Sequence, residues 1–152
     1  LSCETQKRLP QVKGEDTATI MMRHESGAVS VVEATYATRK IPDAFPETLL
    51  EIEGTDGAIV VGRGDKMHVT KQGISFEEQI GSPLLPWTSR PWHNSQEAVL
   101  HANRHMLQRF RSGQAADTSG MDNLKTYALV EAAYQAHERG MSVKPPQWPA
   151  KR

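Results

Sequence analysis

The sequence has one cysteine, Cys3, among 152 residues. A single thiol excludes an internal disulfide and a thiolate metal cluster, and it fits a reducing compartment, with the cytoplasm as the expected location. An excess of charge of one sign is also missing, since 18 Lys and Arg balance 18 Asp and Glu. No global field then draws the chain to nucleic acid or to an anionic membrane, and neither is expected as a partner. No apolar run approaches bilayer length, and nothing at the start has the layout of a signal peptide. There is no phosphate loop, no nucleophile elbow for a serine hydrolase and no paired-carboxylate motif. Gly62-Arg63-Gly64-Asp65 contains a Gly-x-Gly, but a strand pattern follows it where a dinucleotide loop needs a third glycine and a helix. A tight hairpin turn accounts for it better. The chain carries no complete catalytic constellation of its own.

Residues 16–38 organise what is present. Ala18, Ile20 and Met22 alternate with Thr17, Thr19, Met21 and Arg23, and after Glu25-Ser26-Gly27 a second alternating arm runs to Thr38. Period-two alternation broken by a short glycine turn predicts a β-hairpin. Apolar residues on both faces of both arms predict a sheet covered on both sides. Residues 1–15 are polar and aperiodic, with a short edge strand expected near residues 11–13. Further strands are expected at about 47–53, 58–62, 66–71 and 74–80, with Asp56-Gly57 as a strong turn dipeptide. Tight turns between short strands favour an antiparallel meander over βαβ units.

The pattern changes at Gly81. Residues 81–93 hold Pro83, Pro86, Trp87, Pro91 and Trp92, a long irregular loop of the kind that often carries function. Two helices follow. The first is predicted over about 95–111, with Asn94 and Glu97 as a capping box and Gly113 as its stop. The second is predicted over about 120–139, with Ser119 and Asp122 at its start and Gly140 at its end. Its stripe of Leu124, Ala128, Ala132 and Ala136, flanked by Leu129 and Ala133, suits close packing. Residues 141–143 are a candidate last strand, and Pro145, Pro146 and Pro149 mark an extended tail over 144–152. The expected fold class is α+β, an open and mostly antiparallel sheet of about six or more strands with two long helices on one face. At 152 residues, 38% hydrophobic and 24% charged, the chain fits a single domain, 1–152.

Candidate binding residues fall at two places. Trp92 and His93 end the long loop, where an aromatic face suits stacking on a sugar; two large anchors pinning the loop explain them equally. Arg39 and Lys40 end the second arm beside a proline-bounded loop (39–46) and suit a hydroxyl-rich or anionic ligand; a solvated strand end is the plainer explanation. His101 and His105, spaced i,i+4, share a helix face, but residue 102 is Ala and no third ligand is evident, so no metal site is assigned.

The ordered set of motifs resembles a known family. Gly14-Glu15-Asp16-Thr17-Ala18-Thr19, Ser26-Gly27-Ala28-Val29 and Leu50-Glu51-Ile52-Glu53-Gly54-Thr55-Asp56-Gly57-Ala58-Ile59 come first. Ser119-Gly120-Met121-Asp122-Asn123-Leu124-Lys125-Thr126, Leu129-Val130-Glu131-Ala132-Ala133-Tyr134, Gly140 and Val143 follow. Over residues 12–146 the chain resembles the C-terminal domain of the Gfo/Idh/MocA oxidoreductases. The resemblance implies a longer enzyme whose N-terminal Rossmann domain binds NAD or NADP and whose second domain shapes the pocket for a sugar, cyclitol or related polyol. It also implies a homodimer or higher oligomer formed through the sheet. The family's glycine fingerprint, its Glu-Lys-Pro motif and its Asp-x-x-x-His helix have no match here. No catalytic residue and no cofactor-binding residue is therefore assigned, and this stretch alone is expected to bind no cofactor and to be inactive. By the same resemblance Arg39, Lys40, Trp92 and His93 border the substrate. The alternative is a stand-alone, non-catalytic module that dimerises through its sheet and binds a sugar or a protein partner.

Overall fold

The computed structural model describes residues 1–41 and 47–146. Seven strands and two helices follow in the order β1 Ser2–Gln6, β2 Thr17–Arg23, β3 Val29–Thr35, β4 Leu50–Gly54, β5 Gly57–Gly62, β6 Lys66–Lys71, β7 Ile74–Gln79, α1 His93–Ser112 and α2 Gly120–Arg139. The α+β class and the antiparallel pairing are as the sequence predicts. The strands are hydrogen-bonded as a three-stranded set, β1-β2-β3, and a four-stranded set, β4-β5-β6-β7. The chain forms two compact units, one of Leu1–Arg39 with Gly113–Arg152 and the other of Lys40–Ser112.

In the first unit the predicted hairpin forms, with Ile20 opposite Val32 and Thr17 opposite Thr35. The edge strand expected near residues 11–13 lies instead at Ser2–Gln6, where Cys3 pairs with Ile20. Residues 9–12 make a turn closed by Val12 N–H donating to the Leu9 carbonyl at 3.2 Å. Pairing with β2 and burial under α2 make a strand of a segment with no apolar alternation; tertiary context overrides local pattern here. Helix α2 packs on β1. Its small-residue stripe allows this, since Ala128, Ala132, Ala133 and Ala136 are all buried, the last two against Cys3. Leu1, Ile20 and Val143 close around that core. The caps are those the sequence marks. Ser119 Oγ accepts from the Asp122 N–H at 3.2 Å, and Gly140 turns left-handed at φ 60°. Residues 141–143 form no strand. Leu1 and Val143 exchange two main-chain hydrogen bonds, at 2.7 and 2.8 Å, which tie the two ends of the unit together.

The side chain of Asp16 holds the β1–β2 connection. It is 3% exposed, and its Oδ2 accepts the N–H groups of Arg8 and Leu9 at 2.8 and 2.6 Å while Oδ1 accepts from the Thr17 hydroxyl. Burial pushes this carboxyl up. The backbone donors of Leu9 and Arg8, the Thr17 hydroxyl and the Arg8 charge outweigh it and hold the group below its ordinary value.

In the second unit the register sorts most side chains by face. Leu50, Val61, Met67 and Ile52, Ile59, Val69, Phe76 line up across the strands on one face, which also carries Glu78, paired with Met67, and Lys71, paired with Ile74. Glu51, Val60, His68, Glu77 and Glu53, Ala58, Thr70, Ser75 line up on the other. Lys66 and His68 reach Glu77 on that polar face at 2.6 and 3.4 Å. Turn chemistry sets the register. Gln72 and Gly73 both have positive φ, as a two-residue hairpin loop with right-handed twist requires. At the β4–β5 hairpin the loop residues are Thr55 and Asp56, and Gly57 is already the first residue of β5. Gly57 is needed for close approach, because a Cβ there would sit 2.0 Å from the Thr70 carbonyl oxygen. The 39–46 loop and the 144–152 tail fall partly, at 42–46 and 147–152, outside the described residues.

Candidate functional site

A cleft of about 390 Å³ opens in the second unit where the β5–β6 turn, the end of β7 and the first turn of α1 meet. Gly64 and Asp65 from the turn, Gln79 from β7, Gly81–Leu84 and Arg90 from the long loop, and His93 line it. Three local features build it. Gly64 and Asp65 both take left-handed φ, 74° and 59°, which turns the chain sharply enough to project Asp65 toward the loop. Gln79 Nε2 donates to the Gly64 carbonyl at 2.7 Å, and Ile80 N–H donates to the Asp65 carbonyl at 2.9 Å, fixing the turn to the end of β7. The third feature is Gly81: a side chain there would meet the Asp65 carboxylate at 2.8 Å, so the carboxylate occupies the space a Cβ would take.

Helix α1 begins at His93, two residues earlier than the sequence predicts, so Asn94 lies in its first turn rather than capping it. The side-chain amide is committed elsewhere. Asn94 Nδ2 donates to Asp65 Oδ2 at 3.1 Å, and Asn94 Oδ1 accepts the Ser82 N–H at 3.0 Å. One amide thus joins turn, loop and helix. The rest of the loop is held in the same manner. Thr88 Oγ1 accepts from Leu85 N–H at 2.8 Å and donates to the Leu85 carbonyl, while Gln96 Oε1 accepts from Ser89 N–H at 2.9 Å. Polar side chains replace the missing regular hydrogen bonds of a proline-rich segment.

His93 is 7% exposed, and its Nδ1 is enclosed without a hydrogen-bond partner. An unpaired buried nitrogen costs free energy that a satisfied one does not, and such groups concentrate where a ligand or a chemical role uses them. Of the residues the sequence singles out, the structure places Trp92 and His93 side by side, His93 within the cleft and Trp92 half exposed, its carbonyl accepting the Gln96 N–H. Arg39 and Lys40 are exposed and do not line the cleft. Asp65, Gln79 and Arg90 are the residues that sequence reasoning passes over. The signal available for Asp65 was its place after Gly-x-Gly at a hairpin tip; nothing local marks Gln79 or Arg90.

A second, smaller hollow of about 260 Å³ lies on the outer face of the three-stranded sheet, between Glu4, Gln6, Arg8, Thr17, Thr19 and Glu33. His101 pairs with Glu97 at 3.6 Å along α1. Among the described residues no three His, Cys, Asp or Glu side chains gather as a metal site would need. No helix among them is long and apolar enough to cross a membrane. Gly62-Arg63-Gly64-Asp65 runs into strand β6 and not into a helix, so these residues do not form a dinucleotide cradle.

Comparison with known proteins supplies the family. The sequence model of the oxidoreductase family C-terminal alpha/beta domain, that of the Gfo/Idh/MocA proteins, matches residues 2–144. A D-apiose dehydrogenase of Rhizobium rhizogenes is 46% identical over 143 residues, covering 94% of this chain and 41% of that protein. A second D-apiose dehydrogenase, from Paraburkholderia graminis, is 37% identical over 144 residues, 95% of this chain and 38% of the relative. The chain thus spans about two fifths of the length of the curated relatives it matches. Among solved structures, an oxidoreductase from Agrobacterium radiobacter in complex with NAD+, L-tartaric acid and magnesium superposes with a TM-score of 0.91 at 45% identity, over 94% of this chain and 42% of that one. Levoglucosan dehydrogenase in complex with NADH and L-sorbose shares the fold, with a TM-score of 0.73 at 19% identity over 96% of this chain and 44% of that one. The chain belongs to the Gfo/Idh/MocA oxidoreductase family and corresponds to its C-terminal alpha/beta domain.

Proposed function

We propose that this chain is the substrate-binding and oligomerisation domain of an NAD(P)-dependent oxidoreductase acting on a sugar or related polyol, with D-apiose as the first substrate to test. One observation carries the reading: 46% identity to a D-apiose dehydrogenase along 94% of this chain. The domain's own task is to hold the polyol and keep water from it, so that the reacting carbon meets the nicotinamide in one orientation. The nicotinamide supplies hydride acceptance when bound, and its site belongs to residues outside this chain; the described residues form no glycine-rich dinucleotide cradle. The chain alone is inactive in this account. The candidate contacts to substrate are His93 and Trp92 at the cleft, with Arg39 and Lys40 as a second, exposed basic pair. Residues 1–152 act as one domain, a reading supported by the unbroken family match across both units. Its place is the cytoplasm, which the single cysteine fits.

Self-association uses the apolar face of the four-stranded sheet. Leu50, Ile52, Ile74 and Phe76 are exposed there, with Ile74 at 74% and Phe76 at 54%. An apolar face of that extent is costly to leave in water, and a symmetric dimer that buries it is the simplest cover.

The test of the reading is the intact mass of the natural protein. A mass above the 16.9 kDa of this chain by a cofactor domain, on the order of 120 residues or more, is expected. A natural protein of 16.9 kDa would remove the dehydrogenase reading and leave a non-catalytic binding module.

A further inference from the structure

We propose that Asp65 and Asn94 are positioning residues for polyol binding: the hydrogen bond between them closes the base of the 82–94 loop and holds Trp92 in one orientation toward the ligand. This rests on the reading of the chain as a polyol-binding domain with Trp92 as a contact, and adds to it the two side chains that fix that contact in place.

The segment between β7 and the start of α1 has no strand or helix of its own and carries Pro83, Pro86 and Pro91, so its shape depends on side-chain hydrogen bonds. One residue closes its base. Asn94 Oδ1 accepts the Ser82 N–H at 3.0 Å, across 12 positions, and so brings the two ends of the loop together. Loops of this length whose ends adjoin are frequently functional. Asn94 is in turn fixed by Asp65, whose Oδ2 accepts from Nδ2 at 3.1 Å. A charged acceptor strengthens that bond and sets which way the amide faces.

Asp65 is itself held ready. It takes a left-handed φ of 59° without being glycine, a conformation that costs free energy and concentrates where the surrounding structure puts it to use. Ile80 N–H donates to its carbonyl at 2.9 Å, and Gln79 Nε2 donates to the preceding Gly64 carbonyl at 2.7 Å. Gly81 leaves open the space the side chain fills, since a Cβ there would lie 2.8 Å from Oδ2 and 3.0 Å from the Asp65 Cβ. A continuous set of bonds thus runs from the four-stranded sheet through Asp65 and Asn94 to the start of the loop. Trp92 is half exposed two residues before Asn94. An aromatic face already in place binds without first giving up the freedom of a loose one. Loss of the latch therefore weakens the bound polyol in ground and transition states alike, which raises KM and leaves kcat.

The test is steady-state kinetics of polyol oxidation by the natural protein and three variants, with D-apiose as the first substrate and circular dichroism showing which variants are folded at the assay temperature. Asn94→Ala and Gly81→Ala should each raise KM for the polyol by about tenfold, with kcat and the KM for nicotinamide within about twofold of the parent. The exchange of Asp65→Asn together with Asn94→Asp reverses donor and acceptor within the pair. It keeps an acceptor for Ser82 and a residue that tolerates the left-handed turn, so it should restore the parent KM. A role in stability alone lowers the folded fraction, and with it the apparent kcat, at unchanged KM. An unchanged KM in the variants that fold, or an exchange that leaves KM as high as in the single variants, overturns the proposal. Where Asn94→Ala does not fold, Gly81→Ala decides, because it keeps every partner and displaces only the carboxylate. The two failures are distinct. Polyol oxidation by the parent with the same KM in every variant removes the positioning role and leaves the dehydrogenase. No polyol oxidation by the parent removes the dehydrogenase reading, and the positioning role with it.

Discussion

Asn94 Nδ2 lies 3.1 Å from Asp65 Oδ2, joining residues 29 positions apart through one side-chain amide whose oxygen also accepts the Ser82 N–H at 3.0 Å. The amide supplies both a donor and an acceptor in fixed geometry, and no other residue of its size does so. Replacing it with Ala leaves the Ser82 N–H and the Asp65 carboxylate each short of a partner. Asn94→Ala should cost roughly 1–3 kcal/mol, the penalty for stranded part-buried polar groups. Asn94→Asp keeps the acceptor for Ser82 and sets a second carboxylate against Asp65. Chemical denaturation should rank both below the parent, and Asn94→Asp should recover stability as pH falls toward 4 while Asn94→Ala does not. Equal midpoints for all three proteins would show that the amide carries no structural weight.

The alanine stripe of α2 sets how near the helix lies to β1. Ala136 is 1% exposed and touches Cys3 in the core. Ala136→Leu should force helix and strand apart and destabilise by about 1–3 kcal/mol, read from the urea midpoint. Leucine at the exposed Ala102 should change it by less than about 0.5 kcal/mol.

Gly57→Ala places a methyl 2.0 Å from the Thr70 carbonyl oxygen, a main-chain atom that cannot swing away. A loss of at least about 1–3 kcal/mol is expected, with lowered amide protection at β4–β5 and β5–β6 and little change at β1–β2. An unaltered exchange pattern would argue against that close approach.

Acid should act on the first unit through two carboxyls. Asp16 is held below its ordinary value of 3.8 by backbone donors that outweigh its burial, and Glu15 is held below 4.5, chiefly by the Tyr134 hydroxyl. A depressed carboxyl contributes stability that is full above its unfolded value and is lost as pH falls through the folded one. Stability should therefore fall as pH drops below about 4, and Asp16→Asn should be less stable than the parent at neutral pH with a flatter acid limb. The bond to Glu15 raises the Tyr134 phenol above its ordinary 10.0, so that contribution persists at neutral pH and is lost as pH climbs past the phenol's folded value. Tyr134→Phe should weaken the pH dependence at both limbs. A thermal-melting series against pH measures both effects.

The open face of the four-stranded sheet predicts association. Sedimentation at micromolar concentration should show a dimer, and Ile52→Glu with Phe76→Glu should return it to monomer without loss of secondary structure. A monomeric parent chain would remove the sheet as the interface.

Much of the fold was legible because it is written in local periodicity. The β2–β3 hairpin alternates residue by residue, and the Ser119 and Gly140 caps use the residue types their geometry demands. Strand β1 was not legible, because Ser-Cys-Glu-Thr-Gln becomes a strand only through pairing with β2 and cover by α2. Of the site, His93 and Trp92 stood out as aromatic residues ending a long loop. Asp65 read as a turn residue and Asn94 as a helix cap. Their joint role depends on a contact between segments far apart in the chain, which no local pattern encodes.

The central claim is that this domain serves polyol oxidation. Its most direct test is NADH or NADPH formation, followed by absorbance, when D-apiose is added to the protein purified from its natural source and, separately, to this chain. The account predicts nicotinamide reduction by the natural protein and none by residues 1–152 alone. Turnover by the 152-residue chain itself, or failure of the natural protein to oxidise D-apiose or any other polyol with either nicotinamide, would contradict it.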